Sequence, residues 1–159
     1  MRSSAVLEPC VGEAVILPWQ VQEAWRVSRK FPLVLLAEDE RELRQLVAET
    51  LVEGGYQVVQ VEDGVGLLEV LGRSGTAGGA DYPDLVISDV RMPGLSGLDA
   101  LSQVREVDPL VPMVIITAFA DATTHAQARR LGVAAVVDKP FPMQDLLHLV
   151  RRLAPPSPP

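Results

Sequence analysis

The sequence predicts a doubly wound α/β domain, a five-stranded parallel sheet with helices on both faces. Three observations predict it. Apolar runs of strand length recur along the chain, they alternate with segments whose apolar residues follow helical spacing, and each run stops abruptly at polar residues. Strands buried on both faces read as continuous apolar stretches rich in β-branched residues, and Leu85-Val86-Ile87 is of that kind.

Taken in order, Leu33 to Ala37 forms the first run and stops at Glu38-Asp39-Glu40. Leu43, Leu46, Val47 and Leu51 then recur at helical spacing, with Gly54-Gly55 as the stop. Gln57 to Val61 is the second strand, and Glu62-Asp63-Gly64 turns into a helix carrying Leu67, Leu68 and Leu71. Gly72 to Pro83 is Gly-rich and aperiodic, which predicts an exposed loop. The third strand ends at Asp89, and Met92-Pro93-Gly94 breaks regular structure before a helix from about Leu98 to Val107. Met113 to Ile116 is the fourth strand, ending at Thr117, and its helix runs from about Ala122 to Leu131. Ala134 to Val137 closes the sheet and ends at Asp138-Lys139-Pro140, and Met143, Leu146, Leu147, Val150 and Leu153 form one face of a last helix.

These elements give a domain over residues 32–153, preceded by an extension of residues 1–31 and followed by a Pro-rich tail at 154–159. The extension holds both tryptophans, Trp19 and Trp25. A short helix from Pro18 to Lys30 would place Val21 and Trp25 on one face, as a docking element or as a cover for its own domain. Deleting the extension is expected to leave the domain folded. No output domain and no DNA-reading segment is visible after Leu153, which suits a stand-alone module or one cut from a longer chain.

The net charge of −7 argues against a general nucleic-acid binder, so no direct nucleic-acid partner is expected. A single cysteine, Cys10, cannot form an internal disulfide. No apolar run is long enough to span a bilayer, and Glu8, Pro9 and Glu13 interrupt any secretory leader. A cytoplasmic protein without membrane contact is expected. His125 and His148 read as surface positions on helices, since neither has a second ligand nearby in sequence.

Polar residues gather at one kind of place. Glu38 and Asp39 follow the first strand, Asp89 ends the third, Thr117 ends the fourth and Lys139 follows the fifth. In a parallel sheet these positions share one edge, so the five side chains are expected to converge on a crevice. Three carboxylates there repel one another unless a cation neutralises them, and hard oxygen ligands suit Mg²⁺. Lys139 adds a positive charge for a phosphoryl oxygen and Thr117 a hydroxyl donor, with Asp89 as the nucleophile. Plainer roles exist for each: a turn cap for Asp89, an ion pair with Asp138 for Lys139, a strand-end hydroxyl for Thr117, and an acidic first helical turn for Glu38-Asp39-Glu40.

From Leu33 to about Leu153 the sequence resembles the CheY-like receiver domain of bacterial two-component response regulators, a flavodoxin-like five-fold βα repeat. Glu38-Asp39, Asp89 in SDVRMPGLSG, Thr117-Ala118 and Lys139-Pro140-Phe141 carry the resemblance, and the wording around RMPG and KPF is nearest to receivers of enhancer-activating regulators. The resemblance implies that Asp89 accepts a phosphoryl group from a sensor histidine kinase or phosphotransfer protein. It implies Mg²⁺ held by Asp39, Asp89 and the backbone carbonyl of Arg91, with Glu38 helping through water. Lys139 would contact the acyl phosphate across a cis Lys139–Pro140 bond. Thr117 would swing toward the phosphoryl group and alter the face of the fourth helix, fifth strand and fifth helix, where a downstream protein or a second copy would bind.

Three departures accompany the resemblance. Glu38 replaces the commoner Asp of the acidic pair, with a longer reach. Val136 stands where many receivers have a Tyr or Phe that couples to the threonine. Arg91 and Phe119 flank the phosphoryl position and tune its hydrolysis in this family; a bulky apolar Phe119 cannot orient water, which predicts a slowly decaying phosphoryl state. The expected protein is thus a signalling module rather than an enzyme. One alternative is a receiver-like module that docks without phosphorylation. Another is a phosphohydrolase of the haloacid-dehalogenase type, but that family's second Asp is replaced here by Arg91, so its general acid is missing.

Overall fold

The computed structural model describes residues 31–118 and 121–156. The expected helix at residues 18–30, Cys10 and Phe119 lie outside the described residues. Ten elements alternate strictly: β1 (Leu33–Ala37), α1 (Arg41–Glu53), β2 (Gln57–Val61), α2 (Gly64–Arg73), β3 (Leu85–Asp89), α3 (Gly97–Val107), β4 (Met113–Thr117), α4 (Ala122–Arg130), β5 (Ala135–Asp138) and α5 (Met143–Leu153). The five strands form one parallel sheet in the order β2-β1-β3-β4-β5.

The period of two along each strand divides the core into two layers. Val34, Leu36, Leu85, Ile87, Val114 and Ile116 face α1 and α5, meeting Val47, Leu51, Leu146 and Val150. The alternate residues, including Leu35, Val86, Met113 and Ile115, face α2, α3 and α4, meeting Leu67, Leu101, Val104 and Ala128. β1, β3 and β4 are buried almost throughout, whereas β2 and β5 at the edges are only half-buried. Because the chain moves from β1 to β2 in one direction and then crosses to β3 on the other side, the winding reverses between β1 and β3. The carboxyl ends of those two strands therefore open into a crevice that no connection covers.

Local chemistry sets several boundaries. Asp63, Ser96 and Asp121 cap α2, α3 and α4 by accepting from the backbone N–H groups of Gly66, Asp99 and Thr124; such caps contribute about 1 kcal/mol each. On the α1–α5 side, the Tyr56 hydroxyl donates to the Ala154 carbonyl at 2.8 Å, tying the end of α5 to the start of β2. Burial pushes this phenol up to about 12, with Arg151 pulling the other way.

The segment Gly72 to Pro83 corrects the expectation of an exposed loop at its far end. Tyr82 is 5% exposed and belongs to the α2–α3 layer of the core, with Pro83 buried beside it. One aromatic in an aperiodic stretch has no pattern to announce it. Its burial follows from its position just before β3, under the helix ends.

Candidate functional site

The crevice is built from the carboxyl ends of β1, β3, β4 and β5. Asp89 is the last residue of β3 and is 5% exposed, and Glu38 directly after β1 is 1% exposed. Asp39 stands beside them in solvent. Carboxylate oxygens of Glu38, Asp89 and Asp39 all lie within 4.8 Å of one another. The Lys139 ammonium, one residue beyond β5, reaches Asp89 Oδ2 at 2.7 Å as a hydrogen bond and Glu38 Oε2 at 3.0 Å as an ion pair. The second contact is too oblique for a hydrogen bond, so Glu38 Oε2 is buried without a donor of its own. Thr117 is buried at the end of β4, one residue past the partner of Asp89 in the ladder.

Backbone groups aim these side chains. The Glu40 N–H donates to Glu38 Oε1 at 3.0 Å, and the Arg91 N–H donates to Asp89 Oδ1 at 3.1 Å. The Lys139 N–H donates to the Thr117 carbonyl at 2.9 Å, which carries the β4–β5 pairing up to the crevice, and the Lys139–Pro140 peptide bond is cis. The Glu40 bond orients Glu38 toward the site and leaves its second oxygen pointing at Lys139. The acidic first-turn role is taken by Glu42, whereas Glu40 is the N-cap residue of α1 and caps nothing with its side chain.

The electrostatics follow from this crowding. Burial, with the Asp89 charge adding to it, pushes the Glu38 carboxyl up to about 7, against the pull of the Glu40 N–H and Lys139. Burial by itself would lower Lys139, but its close contacts and charge pairing with Asp89 and Glu38 outweigh that and hold it above the ordinary lysine range. The site is short of positive charge. A buried, donorless carboxylate oxygen beside two other carboxylates is the arrangement a hard divalent cation relieves. Carboxylate oxygens gathered within 4.8 Å of one another, one of them on the solvent-exposed Asp39, are the kind of oxygen donors that Mg²⁺ takes. The donor set fits Mg²⁺.

Two residues that sequence reasoning passed over hold this geometry. A Cβ on Gly97 would stand 1.8 Å from the Asp89 carbonyl oxygen and 2.8 Å from Ser88 Oγ, so the first turn of α3 touches β3 only because position 97 is glycine. Arg44 donates to the Glu38 carbonyl at 2.8 Å from the first turns of α1. The SDVRMPGLSG stretch contains Gly97, yet nothing local marks it as the contact point; Gly94, with φ +75°, is the glycine that the turn itself needs.

Of the remaining expectations, Arg91 is exposed at the lip of the crevice, and Val136 sits half-buried on β5, opposite Ile115 in the ladder and packed against the α2–α4 layer. His125 and His148 are exposed on α4 and α5. Lys139 pairs across the crevice with Asp89 and Glu38. Beside Lys139, a groove of about 550 Å³ runs between α1 and the β5–α5 connection, with Leu43, Leu46, Phe141 and Met143 among its walls. Among the described residues, no helix is long and apolar enough to cross a membrane.

A reversed winding point ringed by two buried carboxylates, a third in solvent, a buried threonine and a bridging lysine defines a class of small α/β signalling domain. The chain belongs to the response regulator receiver domain family, whose model matches residues 34–151. It is 39% identical over 119 residues to the C4-dicarboxylate transport transcriptional regulatory protein DctD of Pseudomonas aeruginosa, covering 75% of this chain and 24% of that one. The chain thus spans about a quarter of the length of that relative. It is 38% identical over 118 residues to the transcriptional regulatory protein PdtaR of Mycobacterium tuberculosis, covering 74% of this chain and 54% of that one. Among solved structures it is similar to the response regulator TrrA of Thermotoga maritima in complex with Mg²⁺–BeF, with a TM-score of 0.67 and 28% identity over 77% of this chain and 99% of that one. Chemotaxis protein CheY4 of Vibrio cholerae gives a TM-score of 0.69 and 26% identity over 77% and 98%.

Proposed function

We propose that this chain is a phosphorylation switch in which Asp89 accepts a phosphoryl group from a phosphohistidine of a sensor kinase or phosphotransfer protein. The observation that carries this reading is the Lys139 ammonium bridging Asp89 Oδ2 and Glu38 Oε2 at 2.7 and 3.0 Å inside a cluster of three carboxylates. A carboxylate held with its charge half-compensated is a nucleophile that gains a cation's help when a phosphoryl group arrives.

Asp39, Asp89 and the Arg91 backbone carbonyl would hold Mg²⁺, with Glu38 reaching it through water. The bound ion supplies positive charge against which the phosphoryl oxygens can approach the carboxylates. An Asp89 oxygen attacks phosphorus, a P–O bond forms as the donor's P–N bond breaks, and the imidazole nitrogen leaves with that electron pair and takes up a proton. Lys139 exchanges its bond to Asp89 for one to a phosphoryl oxygen. The Thr117 hydroxyl, at the end of the adjacent strand, turns to donate to another. That rotation alters the surface of α4, β5 and α5, where a downstream protein or a second copy binds. The groove beside Lys139 offers the donor protein an apolar surface to pack on as it delivers the group.

The phosphoryl state is long-lived in this reading, because Phe119 has no group to orient an attacking water and Arg91 lies open to solvent. Faster decay in Phe119→Gln than in the natural protein supports this; equal rates overturn it. The valine at 136 favours a second reading, a module that docks without phosphorylation, because a half-buried valine has no ring to move between inner and outer positions.

Thermal unfolding with Mg²⁺ and beryllofluoride tests the first reading against the second. Ligand at about a hundred times its Kd stabilises the natural protein by about 2.7 kcal/mol, and Asp89→Asn shows no shift. A protein indifferent to beryllofluoride and unlabelled by acetyl phosphate docks constitutively.

A further inference from the structure

The amino-terminal edge of the sheet, opposite the crevice, carries an apolar groove that the phosphoryl chemistry does not use. Leu68 and Leu71 at the end of α2, Val104 and Val107 at the end of α3, and Tyr82 just before β3 line a cavity of about 680 Å³. Val107 is 75% exposed, the highest value among the described large apolar residues. A leucine–valine–tyrosine trough of this size takes a large aromatic side chain, which combines much apolar area with few rotatable bonds.

Residues 1–30 join the domain at this same edge. The Pro32 carbonyl accepts from the Gln57 N–H at 2.9 Å. On the other side, the Leu33 N–H donates to Asp84 Oδ2 at 2.8 Å, and the Asp84 N–H donates back to the Leu33 carbonyl at 2.7 Å. Asp84 is two residues from Tyr82, so the start of β1 is held two residues away from a wall of the groove. Trp25 stands six residues before Phe31, a reach of at most ~20 Å when extended and ~9 Å when helical.

Composition selects the same occupant. Both tryptophans of the chain lie in residues 1–30, and residues 18–30 carry Arg26, Arg29 and Lys30 against Glu23. We propose that the groove between α2 and α3 is the docking site for this chain's own residues 18–30, with Trp25 filling the trough. The segment then covers the edge of the domain farthest from Asp89, and it docks whether or not Asp89 is phosphorylated.

Intrinsic tryptophan fluorescence of the full chain tests this directly, since every tryptophan belongs to the docking segment. The expected result is blue-shifted emission, with acrylamide quenching severalfold weaker than in the same chain unfolded by guanidinium chloride. Trp25→Phe should remove the protected component and Trp19→Phe should leave it. Val107→Asp and, independently, Ala77→Asp on the exposed loop at the groove should red-shift the emission and restore quenching, each with the cooperative melt retained. Tryptophans as quenchable in the natural protein as in denaturant overturn the proposal. So does protection that survives both groove substitutions. Emission that depends on protein concentration, with a dimer in sedimentation, assigns the groove to a second copy and also overturns it.

Discussion

On one side of the crevice, β1 and β3 present Glu38 and Asp89 from strands buried almost throughout, with α1 and α3 burying leucines and valines beneath them. On the other side, β5 is half-buried and α4 buries only Thr124 and Ala128. Fully burying one leucine or valine is worth about 1.5–3 kcal/mol, so α4 has little apolar attachment to the sheet. Its amino end rests on the Asp121 cap. Its carboxyl end is held by Arg105 of α3, whose guanidinium donates to the carbonyls of Leu131 at 2.6 Å and Gly132 at 3.1 Å while also gripping Val111 at 2.7 Å. In the proposed switch, the half that would keep atoms in place for phosphoryl chemistry is close-packed. The half that would report the change is held by a few polar contacts, the kind of element whose equilibrium a new charge a few ångströms away can bias.

The largest expected effect lies on the packed side. Gly97→Ala drives a methyl group into the Asp89 carbonyl, and because that neighbour is backbone the helix must shift; a loss of about 3 kcal/mol is expected in urea unfolding. A loss within experimental error would mean that α3 and β3 are as loosely joined as α4 and the sheet. Arg105→Ala should cost less, about 2 kcal/mol, through the carbonyls it strands. Its signature is hydrogen exchange that quickens in α4 while α1 and β3 keep their protection; quickening spread evenly over all helices would erase the contrast. The smallest effect belongs to β5. Val136→Ala should cost under about 1 kcal/mol where Ile116→Ala, fully buried on β4, costs about 3 kcal/mol. Equal costs would show β5 to be as much core as β4.

Most of the site was legible before any coordinates. Glu38, Asp39, Asp89, Thr117 and Lys139 each follow or end an apolar run, and a parallel sheet brings such positions to one edge whatever the details of packing. The order of runs also sufficed for the architecture, because strands and helices differ in apolar period. Tyr82 was misread with its loop, since a single buried aromatic has no period. Gly97, Arg44 and Arg105 carried no signal at all. Their roles consist of approaching backbone that is distant or turned away in sequence, and a glycine or arginine in such a place looks like any other.

By itself, then, the sequence determined which residues meet, because alternation and strand-end position are properties of neighbours along the chain. Only the tertiary structure decided how they meet. It put Lys139 2.7 Å from Asp89, left Glu38 Oε2 buried without a donor, brought Gly97 against the Asp89 carbonyl and anchored α4 through Arg105. Each of these is a distance between elements, set by the packing of helices on a sheet at close to crystal density, where the absence of one Cβ or the reach of one guanidinium settles the outcome.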